Sequence, residues 1–473
     1  MEPILVIEFL VLVFAVIYLC RILPLSLFSP VHMLILVYVI TSFGGYFIYP
    51  EIDDSIAGGS AALVLTQQEL SRTMEAFFYL LYAFIVGACC YVLLSGKFVS
   101  VRHRPGQIRP KLKIKRSVRV LLLLAVIFSL VSLIFGFGLE EIFWRTDYLS
   151  ERNKYLVILG KALVLPALLF LGYLFGIAKS TYYKVFLSLM LIIFMTVLFS
   201  MATRRLALAP ILFFMGSLAA NPKSKATIMF LYISFAIAPL LMQLAFVLRA
   251  LPVQGLMPFA AIITHTALTN DHVSLLSPIK NFLFSFPLAG TVMDLPSLDF
   301  SYLLTSLNPL PGFMTDWYEI NQNLVLNTYT PFNALGELLN YGLTLSVGIY
   351  FFFGFYFAHL DKIIRARFVQ QKGLLLALML FGISILFILT SLQYNLRSAM
   401  RLIYYTMFIE LVIALGKILI MPLVITKRLK GSQQHQPRAW RPMPDNLMDH
   451  PSALIAGGES IGEGVAVRPS GKI

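Results

Sequence analysis

MEAFFYLLYAFIVGACCYVLLSGKFVSVRHRPGQIRPKLKIKRSVRVLLLLAVIFSLVSLIFGFG, residues 74–138, decides the fold. The runs 74–95 and 120–138 are apolar and long enough to cross a bilayer as helices, since a crossing takes about 20 apolar residues. The loop between them, 96–119, carries nine Lys or Arg residues and no Asp or Glu. Positively charged loops stay in the cytoplasm, so this stretch predicts a membrane protein and fixes its orientation.

The composition of the whole chain agrees with this class. Hydrophobic residues make up 59% of the chain and charged residues 13%, and the mean hydropathy is +0.82. A soluble domain is about half apolar and about a quarter charged. The net charge of +14 is divided between the two sides of the membrane, so it does not indicate nucleic acid as a partner. Cys20, Cys89 and Cys90 lie in apolar runs and form neither a disulfide framework nor a metal motif.

Apolar segments recur along the chain, and we expect an all-α integral membrane protein with about eleven transmembrane helices. The first segment lacks the basic start and cleavage site of a secretory signal, so we expect it to be retained. Alternation places the N-terminus outside and the C-terminus in the cytoplasm, with 26 of the 37 Lys and Arg on the inner side. The predicted helices are 3–20, 31–49, 74–95, 120–138, 155–178, 185–201, 204–221, 227–248, 331–359, 373–391 and 399–421.

Three parts outside these helices stand out. One large external loop of about 80 residues, 250–330, carries apolar and aromatic residues throughout, and long ordered loops usually have a function. Residues 139–154 predict a short amphipathic helix at the membrane interface, with Ile142, Phe143, Trp144 and Tyr148 on its apolar side. The third part is the tail, 431–473, which we predict to be disordered and cytoplasmic. The rest of the chain, 1–430, is a polytopic membrane domain.

Six arginines lie on the external side, against the rule that positive charges stay in the cytoplasm, so their position requires an explanation. Only three external lysines accompany them, and arginine favours bidentate recognition of phosphate or carboxylate. Alternatively, these arginines anchor the protein at the membrane interface or pair with Glu8, Glu75 or Glu337. Arg397 and Arg401 are four residues apart, so on a helix they share a face. The set is Arg145, Arg204, Arg205, Arg249, Arg397 and Arg401.

Candidates for a general base lie on the same side. His265 and His272 in the large loop titrate close to neutral pH, and Glu337 sits about two turns into a predicted helix. The alternative is that His265 and His272 are ordinary loop histidines without a catalytic role. We read Glu410, in mid-membrane, as a buried partner of a cation. The chain has no phosphate-cradling loop, H-E-x-x-H or G-x-S-x-G, and we expect neither a cofactor nor a metal.

Four stretches resemble the Wzy-type polymerases of bacterial surface polysaccharides, including those of O-antigen, enterobacterial common antigen and capsule. In the first, ATRR stands where the family more often has a glycine before threonine or serine and arginine, so either Arg204 or Arg205 is the equivalent residue. The stretches are MATRRLALAPILFF (201–214), PLPGF (309–313), YTPFNALGELLNYGLTLSVGIYFFFGFYFAHLDKII (329–364) and SAMRLIYYTMFIELVIALGKIL (398–419).

The resemblance implies a GT-C-like glycosyltransferase, inverting and independent of metal, at the outer face of the bacterial inner membrane. A growing glycan would pass from undecaprenyl pyrophosphate to the next lipid-linked repeat unit. Membrane lipids, a chain-length regulator and a flippase of the same pathway are the implied partners. Arg204 and Arg401 would bind the pyrophosphate, with Arg145, Arg205, Arg249 and Arg397 as weaker candidates. His265, His272 or Glu337 would be the base.

Three other functions remain open from the sequence. An O-antigen ligase would use the same donor but a different acceptor. A metal-dependent polyprenyl-phosphate glycosyltransferase would use Glu51 and Asp53, which resemble a short acidic metal motif. A flippase or transporter would need polar residues across the whole membrane, whereas the charged residues of this chain concentrate at the external edge.

Overall fold

The computed structural model of the protein describes residues 3–26, 28–49, 65–96, 116–146, 152–203, 205–221, 224–249, 253–269, 276–310, 312–327, 330–370 and 373–433. Nearly all of this described chain is helical. Its helices are α1 Pro3–Ile22, α2 Pro30–Ile48, α3 Gln67–Ser95, α4 Arg116–Phe137, α5 Leu139–Phe143, α6 Lys154–Ile177, α7 Thr181–Ser200, α8 Arg205–Ala220, α9 Lys225–Arg249, α10 Leu256–Thr269, α11 Leu276–Leu283, α12 Ser285–Met293, α13 Phe300–Ser306, α14 Trp317–Asn323, α15 Ala334–Asn340, α16 Leu343–Gln370, α17 Leu374–Gln393 and α18 Leu396–Gln433. A 3-10 turn, Gly312–Met314, and two short antiparallel strands, β1 Val325–Asn327 and β2 Thr330–Pro331, complete the described structure.

Eight helices in the described part of the chain are long and apolar enough to cross a membrane: α1 to α4, α7, α16, α17 and α18. Helix α6 makes a ninth if the two halves on either side of its 45° bend count as one span. The apolar parts of α8 and α9 are shorter, and the 16 residues of α8 reach only about 24 Å at 1.5 Å per residue. The prediction of a multi-pass all-α membrane protein is therefore confirmed, while eight or nine long spans stand against the expected eleven.

The bounds predicted for helix 331–359 are wrong, because two helices replace it. Helix α15 ends before Gly342, whose φ of +111° is open to glycine and strained for other residues. The hydroxyl of Ser346, at the start of α16, donates to the Leu338 carbonyl at 2.7 Å and so ties the two helices together across the break. The local sequence is apolar on both sides of the glycine, and hydropathy alone does not reveal the break.

Helix α16 also continues to Gln370, so most of the interval 360–372, between the predicted helices 331–359 and 373–391, is helical. Within this extension, the Arg365 guanidinium donates to the Asp361 carboxylate at 2.6 Å, and both side chains are buried. The pair is one helical turn apart, the spacing at which opposite charges stabilise a helix. Arg365 is therefore a buried ion-pair residue rather than a loop charge.

Helices α3 and α16 pack with their backbones in contact. A Cβ atom at Gly354 would overlap the Phe84 carbonyl oxygen, and one at Gly87 would overlap the Phe351 carbonyl oxygen. Only glycine allows two helices to approach so closely, as at small-residue contacts in other membrane proteins. This contact lies in the core that joins α1, α2 and α3 to α15, α16 and α17.

The predicted external segment 250–330 is folded where it is described, into α10 to α14, the 3-10 turn and β1. Helix α15 docks beneath it, because the Asn340 side chain accepts from the Leu298 amide and donates to the Val292 carbonyl. Of the helix predicted over 139–154, the structure has the five residues of α5, after which Trp144 is extended. Phe143 and Trp144 are exposed, whereas Ile142, predicted on the same apolar side, is buried in the protein. Tyr148 and the tail 434–473 lie outside the described residues.

Candidate functional site

The turn between α7 and α8 carries the first predicted arginine pair. Ala202 in this turn has φ +45°, a left-handed conformation that glycine adopts without strain and other residues rarely adopt. Arg204, which follows two residues later, lies outside the described residues.

Arg145 lies buried beneath this turn. Its backbone exchanges two hydrogen bonds with Gln254, at 2.8 and 2.9 Å, and its Nη2 lies 3.5 Å from the Ser200 carbonyl oxygen. Its guanidinium is 5.5 Å from the centre of the Phe137 ring, within cation–π range. Arg145 therefore connects three chain segments and supports the turn from inside.

Arg205 begins α8 beside the same turn. Its Nη1 donates to the Lys161 carbonyl in α6, and the Lys161 ammonium lies 5.3 Å from the centre of the Phe137 ring. Arg205 is also within electrostatic range of Tyr394, at the end of α17.

The second arginine pair lies on α18, one helical turn apart. The guanidinium of Arg397 is buried and donates to the carbonyls of Thr305 and Leu310 and to the Thr315 hydroxyl. It also lies 4.9 Å from the centre of the Trp317 ring. Every one of these contacts is uncharged, so the cation is solvated by the protein without being neutralised.

Arg401 is different from its neighbour. It is only partly buried, and its Nη2 lies 3.7 Å from the point where a Cβ on Gly312 would stand. No hydrogen bond or ion pair to another described residue holds its guanidinium. Arg397 and Arg401 therefore place two positive charges on one helix face, a repulsive arrangement that a bound anion would relieve.

Glu337 lies next to this pair but is completely buried. Its Oε2 accepts from the Leu396 amide at 2.8 Å, and its Oε1 accepts from the Ser306 hydroxyl at 2.7 Å. Leu396 is the first residue of α18, so the carboxylate caps that helix. Burial raises the pKa of Glu337 to about 7, against the two hydrogen bonds that lower it. Both oxygens face protein atoms, which suits a positioning role; the role of base stays a prediction.

The other predicted site residues are placed only in part. His265 and Arg249 belong to α10 and α9, of which the backbone is described at these positions and the side chains are not. His272, Glu51 and Asp53 lie outside the described residues. The role of a histidine as base therefore also stays a prediction.

Several residues of the site carried no signal that we recognised in the sequence. Tyr394 holds the α17–α18 turn, because its carbonyl accepts from the Ala334 amide at 2.8 Å. Trp317 covers Arg397, and the Tyr404 hydroxyl donates to the Leu307 carbonyl. A tryptophan four residues after PLPGF and tyrosines on either side of the arginine pair are the features that could have indicated them.

The structure thus brings together, at one end of the helices, most of the predicted arginines that it describes. Arg145 and Arg205 lie around the turn between α7 and α8, and Arg397 and Arg401 lie beside the turn between α17 and α18, which the Tyr394 carbonyl helps to hold. Such an arrangement can bind a phosphate or carboxylate and stabilise negative charge that develops on it. Comparisons of the chain with protein-family models, curated proteins and solved structures find no match.

Proposed function

We propose that the protein is an inverting polysaccharide polymerase with a GT-C-like architecture. It joins lipid-linked oligosaccharide repeat units at the outer face of a bacterial inner membrane. The observation that carries the proposal is Arg401, a partly buried arginine without a described partner. It stands beside the un-neutralised Arg397, near the end of a helix long enough to cross the membrane. The phosphates of a lipid carrier lie at that level of a bilayer.

The reaction requires positive charge beside the pyrophosphate that leaves. An acceptor hydroxyl oxygen forms a bond to the anomeric carbon of the donor, and the bond from that carbon to the pyrophosphate oxygen breaks. The pyrophosphate leaves with the electron pair, and the hydroxyl proton passes to a base or to water. Negative charge grows on the leaving oxygen, and preorganised guanidinium groups stabilise it.

The arginines divide into two kinds in this proposal. Arg401, together with Arg204, contacts the pyrophosphate, and the planar guanidinium suits two phosphate oxygens at once. Arg397 and Arg145 are positioning residues, since Nη1 and Nη2 of Arg397 and Nη2 of Arg145 already donate to the protein's own carbonyls. Arg205 donates to one carbonyl through Nη1 and contributes positive charge beside Arg204.

The base in this proposal is His265 or His272. Either imidazole titrates near neutral pH when unperturbed, as a base working at that pH requires. Because pyrophosphate is a good leaving group, we assign the histidine a smaller share of the rate than the arginines. No metal takes part in the step.

A strain that lacks the gene tests the proposal directly. Loss of a polymerase leaves surface glycan of single repeat units where the wild type shows a ladder on a gel. Loss of a ligase instead leaves long polymer on undecaprenyl pyrophosphate and none on its final acceptor. An unchanged ladder in the deletion strain contradicts both assignments, and complementation with the wild-type chain is the control.

A further inference from the structure

The lipid-facing side of α18 can be identified from the exposure of its side chains. Tyr405 and Phe408 are 53% and 64% exposed, although the helix is apolar and of spanning length. At about 100° of rotation per residue, Arg397, Arg401 and Tyr404 fall within about 100° of these two on the helix surface. The arginine face of α18 and its lipid face are therefore the same face at different heights.

At the N-terminal end of α18 this face is covered by one stretch of chain. We name residues 300–310 and 312–315, which contain α13 and the 3-10 turn, the α13 segment. The Arg397 guanidinium donates to the Thr305 and Leu310 carbonyls of this segment, and the Tyr404 hydroxyl donates to the segment's Leu307 carbonyl. The α13 segment consequently overhangs the lipid face of α18.

Apart from Ser301, the exposed residues of the α13 segment are apolar. Helix α13 buries Leu303 and Ser306 and leaves Phe300 and Leu304, one turn apart, exposed. Leu310 and Met314 are exposed as well, and one guanidinium holds the carbonyls of both Thr305 and Leu310. An exposed apolar group of this kind, continuous with a lipid face, belongs in contact with lipid rather than water.

We infer that the α13 segment is a membrane-interface element, with Phe300, Leu304, Leu310 and Met314 among the acyl chains of the leaflet at the N-terminal end of α18. Its polar backbone faces Arg397 and Tyr404, away from the lipid, so the backbone groups are satisfied where water is scarce. This holds Arg397 and Arg401 at the height of the lipid headgroups. The inference rests on the spanning α18 and is independent of the proposed enzymatic activity.

Spin-label accessibility in the full-length protein tests this placement. Single cysteines replace Leu304 and Met314 in a chain whose Cys20, Cys89 and Cys90 are changed to alanine. Each labelled protein is reconstituted at one copy per nanodisc of phosphatidylcholine and phosphatidylglycerol. Phe408→Cys provides the lipid reference, and Glu319→Cys, exposed on α14, provides the water reference. Wild-type melting temperature is required of every variant, with Phe300→Cys as the substitute if one is destabilised.

We expect the ratio of oxygen to nickel-complex accessibility at Leu304 and Met314 to lie nearer the Phe408 value than the Glu319 value. A ratio like that of Glu319 places the segment in water and overturns the inference. Protection from both reagents overturns it as well, since protein rather than lipid would then cover the surface. Neither outcome depends on glycan synthesis, so failure of this inference is distinguishable from failure of the proposed function.

Discussion

At the scale of single residues, two arginines one turn apart on α18 have different environments. Arg397 is buried and directs its donors to Thr305, Leu310 and Thr315, whereas Arg401, one turn along α18, has no described partner. The first therefore stabilises the fold and the second is available for a ligand. This difference can be measured by separating stability from activity.

Arg401→Ala is expected to lower polymerisation about a hundredfold, because one donor to a developing oxyanion is worth about 3 kcal/mol. Its melting temperature should match the wild type, since no hydrogen bond or ion pair to a described residue is lost. Arg401→Lys should restore part of the activity, because lysine carries the charge but binds phosphate through a single point. Ladder length in a complemented deletion strain and thermal unfolding in detergent are the two readouts.

Two control variants accompany this prediction. Arg397→Ala should lower the melting temperature, because it leaves buried carbonyls without donors. Arg72→Ala removes a surface ion pair with Asp294, whose atoms are 3.0 Å apart, and should change neither readout. A full-length ladder from Arg401→Ala would remove Arg401 from the site.

Glu337 gives a second prediction at this scale. Glu337→Gln can keep both hydrogen bonds, since the amide oxygen accepts from Leu396 and the amide nitrogen donates to Ser306 after its hydroxyl rotates. Glu337→Ala leaves the Leu396 amide buried without an acceptor and should cost about 1–3 kcal/mol of stability. Thermal unfolding of the two variants should therefore rank glutamine well above alanine.

The same residue predicts a pH dependence. Burial raises the pKa of Glu337 from 4.5 to about 7, so the stability contributed by its protonated form is complete below pH 4.5 and is lost as the pH rises through 7. The wild-type melting temperature should fall over this range more than that of Glu337→Gln. Parallel curves for the two proteins would show that Glu337 is charged in the folded protein throughout.

At the scale of helices, glycines decide the closest packing. Gly354→Ala is expected to destabilise the protein strongly, because the added Cβ overlaps the Phe84 carbonyl and would force α3 and α16 apart. Gly348→Ala in the same helix is the matched control, since nothing lies within 4 Å of its Cβ position. Alanine there should be neutral or stabilising by up to about 1 kcal/mol. Equal melting temperatures for the two variants would contradict this close packing of α3 against α16.

Helix positions were largely predictable from the sequence, because hydropathy is a local property of the chain. Each predicted segment contains helix, including the span 120–138 and the short α8. The break at Gly342 was not predictable, since it depends on a left-handed φ and on the contact between Ser346 and Leu338. The buried Asp361–Arg365 pair likewise appears only when other helices surround it.

The candidate site was predictable in its residue types and less so in their roles. Arginines near the ends of apolar runs indicated anion binding at one end of the helices, and the described ones do lie there. Which of Arg397 and Arg401 is free depends on the α13 segment, more than 80 residues earlier in the chain. No spacing within α18 contains that information.

At the scale of the whole molecule, orientation is the prediction to test first. A cysteine at Ser274 should react with a membrane-impermeant maleimide in intact cells, and one at Gln107 only after permeabilisation, because the basic loop 96–119 stays inside. Both positions lie outside the described residues, and both variants are made in the chain whose three cysteines are changed to alanine. The reverse pattern would place the arginines on the cytoplasmic side and contradict the proposed function.

The central claim is that this chain alone joins lipid-linked repeat units and releases undecaprenyl pyrophosphate. Purified wild-type protein, reconstituted in liposomes with the lipid-linked repeat unit and excess EDTA, should produce a glycan ladder and one released carrier per bond formed. Arg401→Ala should lower both products about a hundredfold, and Arg72→Ala should match the wild type. Ladder formation only after a divalent metal is restored would contradict the metal-independent mechanism. Wild-type protein that leaves the repeat units unjoined, with or without metal, would contradict the account itself.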